Sequence, residues 1–142
     1  MCGLQGSGKS TYVRDCLYDT HVRLNLDMLR SRSREDTLFH ACLAAKAPFV
    51  VDNTNLRVDQ RKRYMDLARA AGYESVQLIW VAATLEEALQ RNAQRKGKKR
   101  VPDAALRGAQ AKWEPPTQKE GFDRARVARR GVDGAWTLEE VA

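Results

Sequence analysis

Residues 3–10 read Gly3-Leu4-Gln5-Gly6-Ser7-Gly8-Lys9-Ser10. They match the phosphate-binding loop G-x-x-x-x-G-K-[S/T] at every fixed position. Glycines in such a loop let backbone N–H groups converge on phosphate oxygens, where a Cβ would stand in the way. Lys9 is expected to place its charge at the β- and γ-phosphates, and the Ser10 hydroxyl is expected to bind Mg²⁺. The helix that begins behind Lys9 adds the positive end of its dipole.

The loop predicts a binding site for a nucleoside triphosphate with Mg²⁺, in which Ser10 is the metal ligand. The alternative is a glycine-rich turn that merely precedes a helix. The residues expected to contact the nucleotide are Gly3, Gly6, Ser7, Gly8, Lys9, Ser10 and Thr11.

Length and composition predict one domain. The chain has 142 residues, of which 43% are apolar, and this is enough for one ordinary core. Its three cysteines show no C-x-x-C spacing, which argues against a disulfide framework and against zinc. No apolar run approaches the roughly 18 residues of a membrane span, and no signal peptide precedes the loop. We therefore expect a single domain over residues 1–142 in the cytoplasm, without membrane contact.

Positive charge is concentrated in one segment. The formal net charge is +7, and residues 91–100 carry six basic side chains and no acidic one. A focused patch favours one polyanionic site for nucleotide phosphates or a nucleic-acid backbone, and a solvated lysine-rich loop is the alternative. Arg91 and Arg95 stand i, i+4 at its start. We interpret residues 91–102 as a short basic lid whose arginines neutralise charge on the γ-phosphate.

Strand patterns alternate with helix patterns along the chain. Helices are predicted over residues 9–18, 33–46, 58–71, 84–96 and 102–113 and, from Thr137-x-x-Glu140, at the C-terminus; strands are predicted over 21–25, 49–52, 76–81 and 126–129. This alternation predicts a three-layer α/β/α fold with a parallel sheet. Because ligands bind at the carboxyl ends of such strands, we expect the loop, Asp27 and Asp52 along one edge.

The strand expected before the loop is nearly absent, because only Met1 and Cys2 precede Gly3. A central strand of about five residues pairs with a neighbour on each side. Its loss would expose backbone groups and apolar surface in the middle of the sheet. Three explanations stay open: the chain start is misassigned, the chain is truncated, or the strand is residual.

Two carboxylates follow predicted strands and are candidates to accept a proton in phosphoryl transfer. Asp27 is followed one helical turn later by Arg30, so it is either a helix cap or a carboxylate kept ionised by a guanidinium. Asp52 ends an apolar strand, as the Mg²⁺-associated Asp of many nucleotide-binding folds does. Residues 53–55, Asn-Thr-Asn, suit either an acceptor site or an ordinary turn.

Basic residues crowd the start of the predicted helix 58–71, where the helix dipole disfavours cations. Either some of them face an anion or they form a solvated surface. These residues are Arg57, Arg61, Lys62 and Arg63.

Several motifs occur together along nearly the whole chain. They are the loop 3–11, Asn25-x-Asp27-x-x-Arg30, Asp52-Asn53-Thr54-Asn55, Arg91-Asn92-x-x-Arg95, Val101-Pro102 and Glu120-Gly121-Phe122-Asp123. With these motifs the chain resembles the 5′-hydroxyl polynucleotide kinase family, among the P-loop kinases with an AAA-type ATP-binding domain. The loop is generic to many kinases, whereas the combination of the other motifs is much narrower.

The resemblance implies a kinase that uses ATP and Mg²⁺ to phosphorylate the 5′-hydroxyl end of DNA or RNA, in nucleic-acid repair. It implies a catalytic set of Lys9, Asp27 as general base, and Arg95 on the transferred phosphate. The residues that it implies on the acceptor side are Arg30, Asp52, Asn53, Thr54 and Asn55. Two alternatives remain: a small-molecule kinase that acts on a nucleoside or sugar nucleotide, and a non-catalytic ATP-binding module.

Overall fold

Strands and helices alternate along the chain, as the sequence predicts. The computed structural model describes residues 1–142. The helices are Lys9–Tyr12 (α1), which continues as a π-helical stretch Val13–Leu17, Leu26–Leu29 (α2), Arg32–Ala45 (α3), Val58–Ala70 (α4), Leu85–Ala93 (α5) and Asp103–Ala111 (α6). The strands are Val22–Leu24 (β1), Phe49–Val51 (β2), Gln77–Val81 (β3), Arg124–Arg130 (β4) and Trp136–Glu140 (β5). Single 3₁₀ turns span Gly97–Lys99 and Gln118–Glu120.

The strands form two hydrogen-bonded groups, and the start of the chain pairs with one strand of each group. β1 pairs with β2 in parallel, β3 pairs with β4 in parallel, and β4 pairs with β5 in antiparallel fashion. Cys2 forms a parallel bridge to β3: its N–H donates to Ile79 O at 2.9 Å, and its C=O accepts from Val81 N at 3.0 Å. This bridge fixes the chain start beside β3.

The same three residues also bond to the β2 side. The Met1 amine donates to Val51 O at 3.0 Å, and Gly3 N donates to Thr54 O at 3.0 Å. Met1–Gly3 therefore occupies the central position, and the order across the fold is β1, β2, Met1–Gly3, β3, β4, β5. As the sequence predicts, only a short stretch stands before the loop at this position, and it pairs on both sides.

A cleft of about 540 Å³ opens next to Met1, between the N-terminal halves of β2 and β3. Phe49 and Val50 of β2 line it on one side, and Gln77 and Leu78 of β3 line it on the other. Because these stretches of β2 and β3 have no strand between them, the predicted apolar gap in the middle of the sheet is present.

Apolar residues are buried on both faces of the sheet, which makes three layers. In β2, Val50 packs in a cluster with Tyr12 of α1, whereas Val51 packs in a separate cluster with Phe39 of α3 and Tyr64 of α4. The alternation follows from the two-residue period of a strand. Full burial of a side chain such as Phe39 contributes about 1.5–3 kcal/mol. None of the helices is both long and apolar enough to cross a membrane.

The predicted C-terminal helix is wrong, because residues 136–140 form β5. The Thr137-x-x-Glu140 spacing of a capping box occurs here in a strand that pairs along β4. A tight turn precedes β5: Gly134 has φ +81°, and Ala135 N donates to Asp133 Oδ1 at 3.0 Å. An Asp-Gly turn favours a hairpin, and the open edge of β4 offers a hydrogen-bond ladder that an isolated short helix lacks.

The basic residues at the start of α4 all face anions, and these anions are carboxylates of the protein itself. The ion pairs are Arg57–Asp59, Arg61–Glu120, Lys62–Asp66 and Arg63–Asp36. Three of these four pairs lie at the surface, and the Arg61–Glu120 pair is buried.

Hydrogen bonds of the Arg61 guanidinium connect the C-terminal part of the chain to the loop after β2. Its Nε and Nη2 donate to the two carboxylate oxygens of Glu120 at 2.8 and 2.7 Å. Its Nη1 donates to the backbone oxygens of Asn55 and Leu56 at 3.0 and 3.2 Å. A planar guanidinium makes such a set of bonds where an ammonium cannot. The Glu120-Gly121-Phe122-Asp123 motif therefore includes a structural partner of α4.

We expect Arg61→Met to lower the free energy of unfolding by about 3–5 kcal/mol, because it leaves Glu120 as an unpaired buried charge. Lys62→Met is the matched control, since Lys62 and Asp66 are 58% and 52% exposed. It should cost at most about 1 kcal/mol. Urea unfolding monitored by circular dichroism measures both. An equally small decrease in the free energy of unfolding in the two variants would contradict a structural role for Arg61.

Candidate active site

The phosphate loop requires glycine at two close backbone approaches. Gly3 has φ +144°, and a Cβ there would stand 2.6 Å from Val81 O at the end of β3. Gly6 has φ +78°, and a Cβ there would stand 2.9 Å from Ala88 O on α5. Both contacts are with backbone that cannot move aside easily. The loop is thus held against β3 and α5 by contacts that only glycine permits.

Lys9 is buried at the start of α1, with its ammonium inside the loop. Its Nζ donates to Gly3 O at 2.8 Å and to Leu4 O at 2.7 Å. Burial lowers the pKa of Lys9 to about 8, and the nearby negative charge of Asp52 partly offsets this effect. The loop thus holds a cation whose hydrogen bonds within the protein are to neutral carbonyl oxygens.

Predicted residues from three parts of the chain lie within electrostatic reach of this ammonium. The carboxylates of Asp52 and Asp27 act to raise the pKa of Lys9, and the guanidinium of Arg95 acts to lower it. Hydrogen bonds of Ser10 and Asn25 to Asp52, and of Arg91 to the backbone of the loop, bring the loop, the carboxyl ends of β1 and β2, and the start of the lid to one place. Parallel strands in an α/β sheet bring their carboxyl ends together in this way.

Ser10, Asp52 and Arg23 form a hydrogen-bonded group beside the loop. Ser10 Oγ donates to Asp52 Oδ2 at 3.3 Å. Arg23 Nε and Nη2 both lie 2.8 Å from the same Asp52 oxygen, and Nη2 also donates to Ser10 Oγ at 2.9 Å. The Asp52 side chain is only 1% exposed, so a carboxylate that is almost fully buried has an arginine as its ion-pair partner.

Two asparagines join the carboxyl end of β1 to that of β2. Asn25 Nδ2 donates to Asp52 O at 2.6 Å, and the Asn25 side-chain oxygen caps the first turn of α2. Asn53 Oδ1 accepts from Leu26 N at 3.0 Å. These bonds fix where α2 begins, and α2 carries Asp27 in its first turn with an exposed side chain. Asp27 is therefore not the cap of this helix, because Asn25 caps it.

A buried carboxylate on α3 supports this junction. Glu35 is fully buried and accepts hydrogen bonds from Asn53 Nδ2 at 2.9 Å and from the Tyr64 hydroxyl. Arg32 pairs with the same carboxylate at 3.5 Å. Burial, together with the bond to Glu35, raises the pKa of Tyr64 to about 12. The amide of Asn53 is thus bonded within the protein through both its oxygen and its nitrogen.

The predicted acceptor residues and the predicted base divide into two groups. Buried residues with side-chain hydrogen bonds inside the protein are Asp52, Asn53 and Asn55. Residues whose side chains make no hydrogen bond or ion pair inside the protein are Asp27, Arg30 and Thr54. Asn55 Nδ2 donates to Met1 O at 2.7 Å, so that side chain holds the central segment Met1–Gly3 in place.

The start of the lid is tied to the phosphate loop. Arg91 Nη1 donates to Gly6 O at 3.2 Å and to Ser7 O at 3.0 Å. Ser7 is itself buried, and its Oγ has no hydrogen-bond partner. An unpartnered buried hydroxyl is costly, so Ser7 is a group that a phosphate oxygen can satisfy.

The base of the lid is closed by one side chain. The fully buried Asn92 donates from Nδ2 to Val101 O at 2.7 Å and accepts from Val101 N at 3.0 Å. The basic segment between these two residues is therefore a closed loop. Arg95 lies half-buried in it and donates to Lys99 O at 3.4 Å. The R-N-x-x-R and V-P motifs are thus one structural unit.

The oxygens beside the loop fit Mg²⁺. Ser10 Oγ and Asp52 Oδ2 are hard oxygen donors 3.3 Å apart. Mg²⁺ in nucleotide sites takes one or two such protein ligands and completes its shell with phosphate oxygens and water. No group of three or more His, Cys, Asp or Glu side chains is placed to hold a metal without a substrate. The donor set therefore fits a magnesium ion held jointly with nucleotide phosphates.

A glycine loop set between a parallel strand and a helix, opposite a serine–aspartate pair, defines a P-loop kinase-like domain. The comparison with known families agrees with this class. A family model described as "AAA domain" matches residues 1–116, and the chain belongs to that family.

Two relatives carry kinase names. Over 126 residues, the chain is 27% identical to the bifunctional polynucleotide phosphatase/kinase of Schizosaccharomyces pombe, and the match covers 86% of this chain and 31% of the relative. Over 80 residues, it is 32% identical to an Acanthamoeba polyphaga mimivirus protein whose name also contains bifunctional polynucleotide phosphatase/kinase. That match covers 56% of this chain and 19% of the relative. The chain spans less than a third of the length of either relative. The family membership and the phosphate loop define the chain as a P-loop domain of the AAA type.

Sequence reasoning missed Arg23 and Glu35. Arg23 stands between Val22 and Leu24 in a short strand, so its side chain points to the opposite face from theirs, and this alternation is a usable signal. Glu35 lies in the first turn of α3, where an acidic residue ordinarily faces solvent and the helix dipole. No local pattern marks Glu35 as buried, because its hydrogen-bond partners Asn53 and Tyr64 come from the loop after β2 and from α4.

We expect Tyr64→Phe to lower the free energy of unfolding by about 1–3 kcal/mol, because the buried Glu35 carboxylate loses a hydrogen-bond donor. Tyr18→Phe is the control, since Tyr18 is 76% exposed. It should change stability by no more than about 0.5 kcal/mol. Chemical denaturation measures the difference, and a Tyr64→Phe protein as stable as the control would show that the hydroxyl does not support Glu35.

Proposed function

We propose that this domain transfers the γ-phosphate of ATP to the 5′-hydroxyl end of a polynucleotide. The observation that carries the proposal is the position of Asp27. Its carboxylate is exposed and unbonded, and it lies in the first turn of α2, which Asn25 and Asn53 tie to the carboxyl ends of β1 and β2 beside the phosphate loop. The names of the two relatives support a polynucleotide as acceptor.

On the donor side, the loop N–H groups, Lys9 and the Ser7 and Thr11 hydroxyls bind the triphosphate. Ser10 and Asp52 would hold Mg²⁺, which would supply positive charge to the triphosphate. Lys9 is pre-positioned by its bonds to Gly3 O and Leu4 O. Because Lys9 is buried, its charge acts on the phosphates with little screening by water.

On the acceptor side, Asp27 orients the 5′-hydroxyl and accepts its proton. The hydroxyl oxygen forms the new bond to the γ-phosphorus, while the bond from that phosphorus to the oxygen bridging to the β-phosphate breaks and ADP leaves. Arg30 and Thr54, whose side chains are unbonded within the protein, bind the phosphate of the terminal nucleotide. Asp52, Asn53 and Asn55 act on the acceptor indirectly by holding the loop after β2.

The lid supplies the remaining positive charge. Arg95 neutralises charge that develops on the transferred phosphate, and Arg91 keeps the lid against the loop through Gly6 O and Ser7 O. The basic segment 95–100 lies beside this point and provides a surface for a nucleic-acid backbone.

Incubation with γ-labelled ATP, Mg²⁺ and a panel of 5′-hydroxyl oligonucleotides, nucleosides and sugar nucleotides tests the acceptor. We expect label on the oligonucleotide, and the rate should fall steeply with salt because phosphate contacts are screened. Label only on a small metabolite, at a rate insensitive to salt, would contradict the polynucleotide acceptor. Nucleotide binding without transfer to any acceptor would contradict catalysis.

Asp27→Asn is expected to reduce turnover about 10²–10⁴-fold, because an amide cannot accept the proton of the 5′-hydroxyl. Asp19→Asn is the matched control, since Asp19 is an exposed aspartate in the turn before β1. It should leave turnover unchanged. Steady-state rates with a saturating oligonucleotide measure both variants, and full activity in Asp27→Asn would rule out its role as base.

The pKa of Lys9, which burial lowers to about 8, predicts a pH dependence of nucleotide binding. Triphosphate binding favours the charged ammonium and raises its pKa. The association constant should therefore be flat below about pH 8 and fall above it by up to about tenfold per pH unit. Calorimetry with β,γ-imido-ATP and Mg²⁺ at pH 7, 8 and 9 measures this. Lys9→Met should bind more weakly without that decline, and an equal decline in both proteins would exclude Lys9 as its cause.

A further inference from the structure

Arg23 bonds to both oxygens that fit Mg²⁺. Its Nη2 lies 2.8 Å from Asp52 Oδ2 and 2.9 Å from Ser10 Oγ, and its Nε donates to the same Asp52 oxygen at 2.8 Å. The guanidinium therefore bridges the serine and the aspartate. The donor-side mechanism leaves this arginine without a function.

A guanidinium and a magnesium ion compete for the same lone pairs. Adjacent ligands of an octahedral Mg²⁺ ion stand about 3.0 Å apart, close to the 3.3 Å between Ser10 Oγ and Asp52 Oδ2. When Ser10 Oγ binds a cation, it cannot also accept the hydrogen bond from Arg23 in the same direction. Asp52 Oδ2 already accepts a hydrogen bond from Arg23 Nε and lies 2.8 Å from Arg23 Nη2, so a metal at that oxygen must displace the guanidinium from at least one of these contacts.

The surroundings allow Arg23 to leave. Its side chain is one-third exposed, whereas that of Asp52 is 1% exposed, so the guanidinium can move towards water and the carboxylate cannot. Replacing a single positive charge by a divalent cation also leaves the buried carboxylate compensated. The protein therefore has a solvent-accessible cation paired with a buried anion at this point.

We propose that Arg23 is a positioning residue that acts as an internal counter-ion for Asp52 and is displaced from Ser10 and Asp52 by the divalent cation. Arg23 keeps the buried carboxylate paired and correctly oriented before the metal binds. The competition raises the metal concentration that the site requires. This inference rests on the donor side of the proposed function and needs no particular acceptor.

Binding of Mn²⁺, measured by electron paramagnetic resonance with saturating β,γ-imido-ATP and no acceptor, tests the competition. Arg23→Gln should bind Mn²⁺ about tenfold more tightly than the unmodified protein, since the metal no longer displaces charge-assisted hydrogen bonds. Arg14→Gln is the control, because Arg14 is an exposed arginine that pairs only with Asp15. It should leave Mn²⁺ affinity unchanged. Equal or weaker Mn²⁺ binding by Arg23→Gln would overturn the proposal.

A measurement on the unmodified protein covers the case in which Arg23→Gln folds poorly. Side-chain Nε–H signals of arginines are followed by nuclear magnetic resonance as MgCl₂ is added to the protein with β,γ-imido-ATP. The Arg23 signal should shift and lose its protection from solvent exchange. The Arg61 signal should stay unchanged, because Arg61 is buried against Glu120 away from the metal. An Arg23 signal that keeps its protection at saturating MgCl₂ would overturn the proposal.

Neither measurement involves phosphate transfer, so its outcome is separate from that of the acceptor panel. If label reaches no acceptor but Arg23 is displaced by the metal, the proposed kinase activity fails and the inference stands. If an oligonucleotide is phosphorylated while Arg23 keeps its bonds, the proposed kinase activity stands and the inference about Arg23 fails.

Discussion

Backbone hydrogen bonds on both sides of Met1–Gly3 hold the phosphate loop in the middle of the sheet. Cys2 pairs with β3, while Met1 and Gly3 bond to Val51 and Thr54 beside β2. Without these bonds, β1–β2 and β3–β5 would be separate sheets, and the loop would have no fixed position relative to Asp52. The arrangement of donor and acceptor sides therefore depends on three residues of backbone pairing.

The polar side chains around the loop have two roles: some hold the structure together, and others are exposed on the proposed acceptor side. Asn25, Asn53 and Glu35 are buried and hydrogen-bonded, so they fix the junction between the carboxyl ends of β1 and β2. Such networks stabilise a structure only when every member is bonded, and this one is extensively satisfied. Asp27 and Arg30 are attached to this junction and have exposed side chains. A rigid frame with a few unbonded groups is what positioning an acceptor requires.

Much of the fold was predictable because its signals are local. The loop motif, the alternation of strand and helix patterns, and the Thr84-x-x-Glu87 capping box of α5 all depend on residues close in sequence. β5 was mispredicted because Thr137-x-x-Glu140 has the spacing of a capping box, whereas the Asp133–Gly134 turn before it indicates a hairpin. In that case a local rule for helices competed with a local rule for turns, and pairing along β4 decided the outcome.

The parts of the site that the sequence did not reveal depend on partners far away in the chain. Arg61 pairs with Glu120, which lies 59 positions away in the sequence, and Arg23 pairs with Asp52, which lies 29 positions away. No spacing within a helix or strand encodes such pairs. The same limit applies to Asn53, whose residue type suits both an acceptor site and a turn. Its bond to Glu35 makes it part of the frame, a distinction that only the folded arrangement contains.

The most direct measurement is a crystal structure of the protein with β,γ-imido-ATP, Mg²⁺ and a 5′-hydroxyl oligonucleotide. We expect the 5′-oxygen within about 2.6–3.2 Å of an Asp27 carboxylate oxygen and in line with the γ-phosphate. The terminal nucleotide's phosphate should contact Arg30. An oligonucleotide end bound away from Asp27, or a different side chain between the 5′-oxygen and the γ-phosphate, would contradict the assignment of Asp27 as the base.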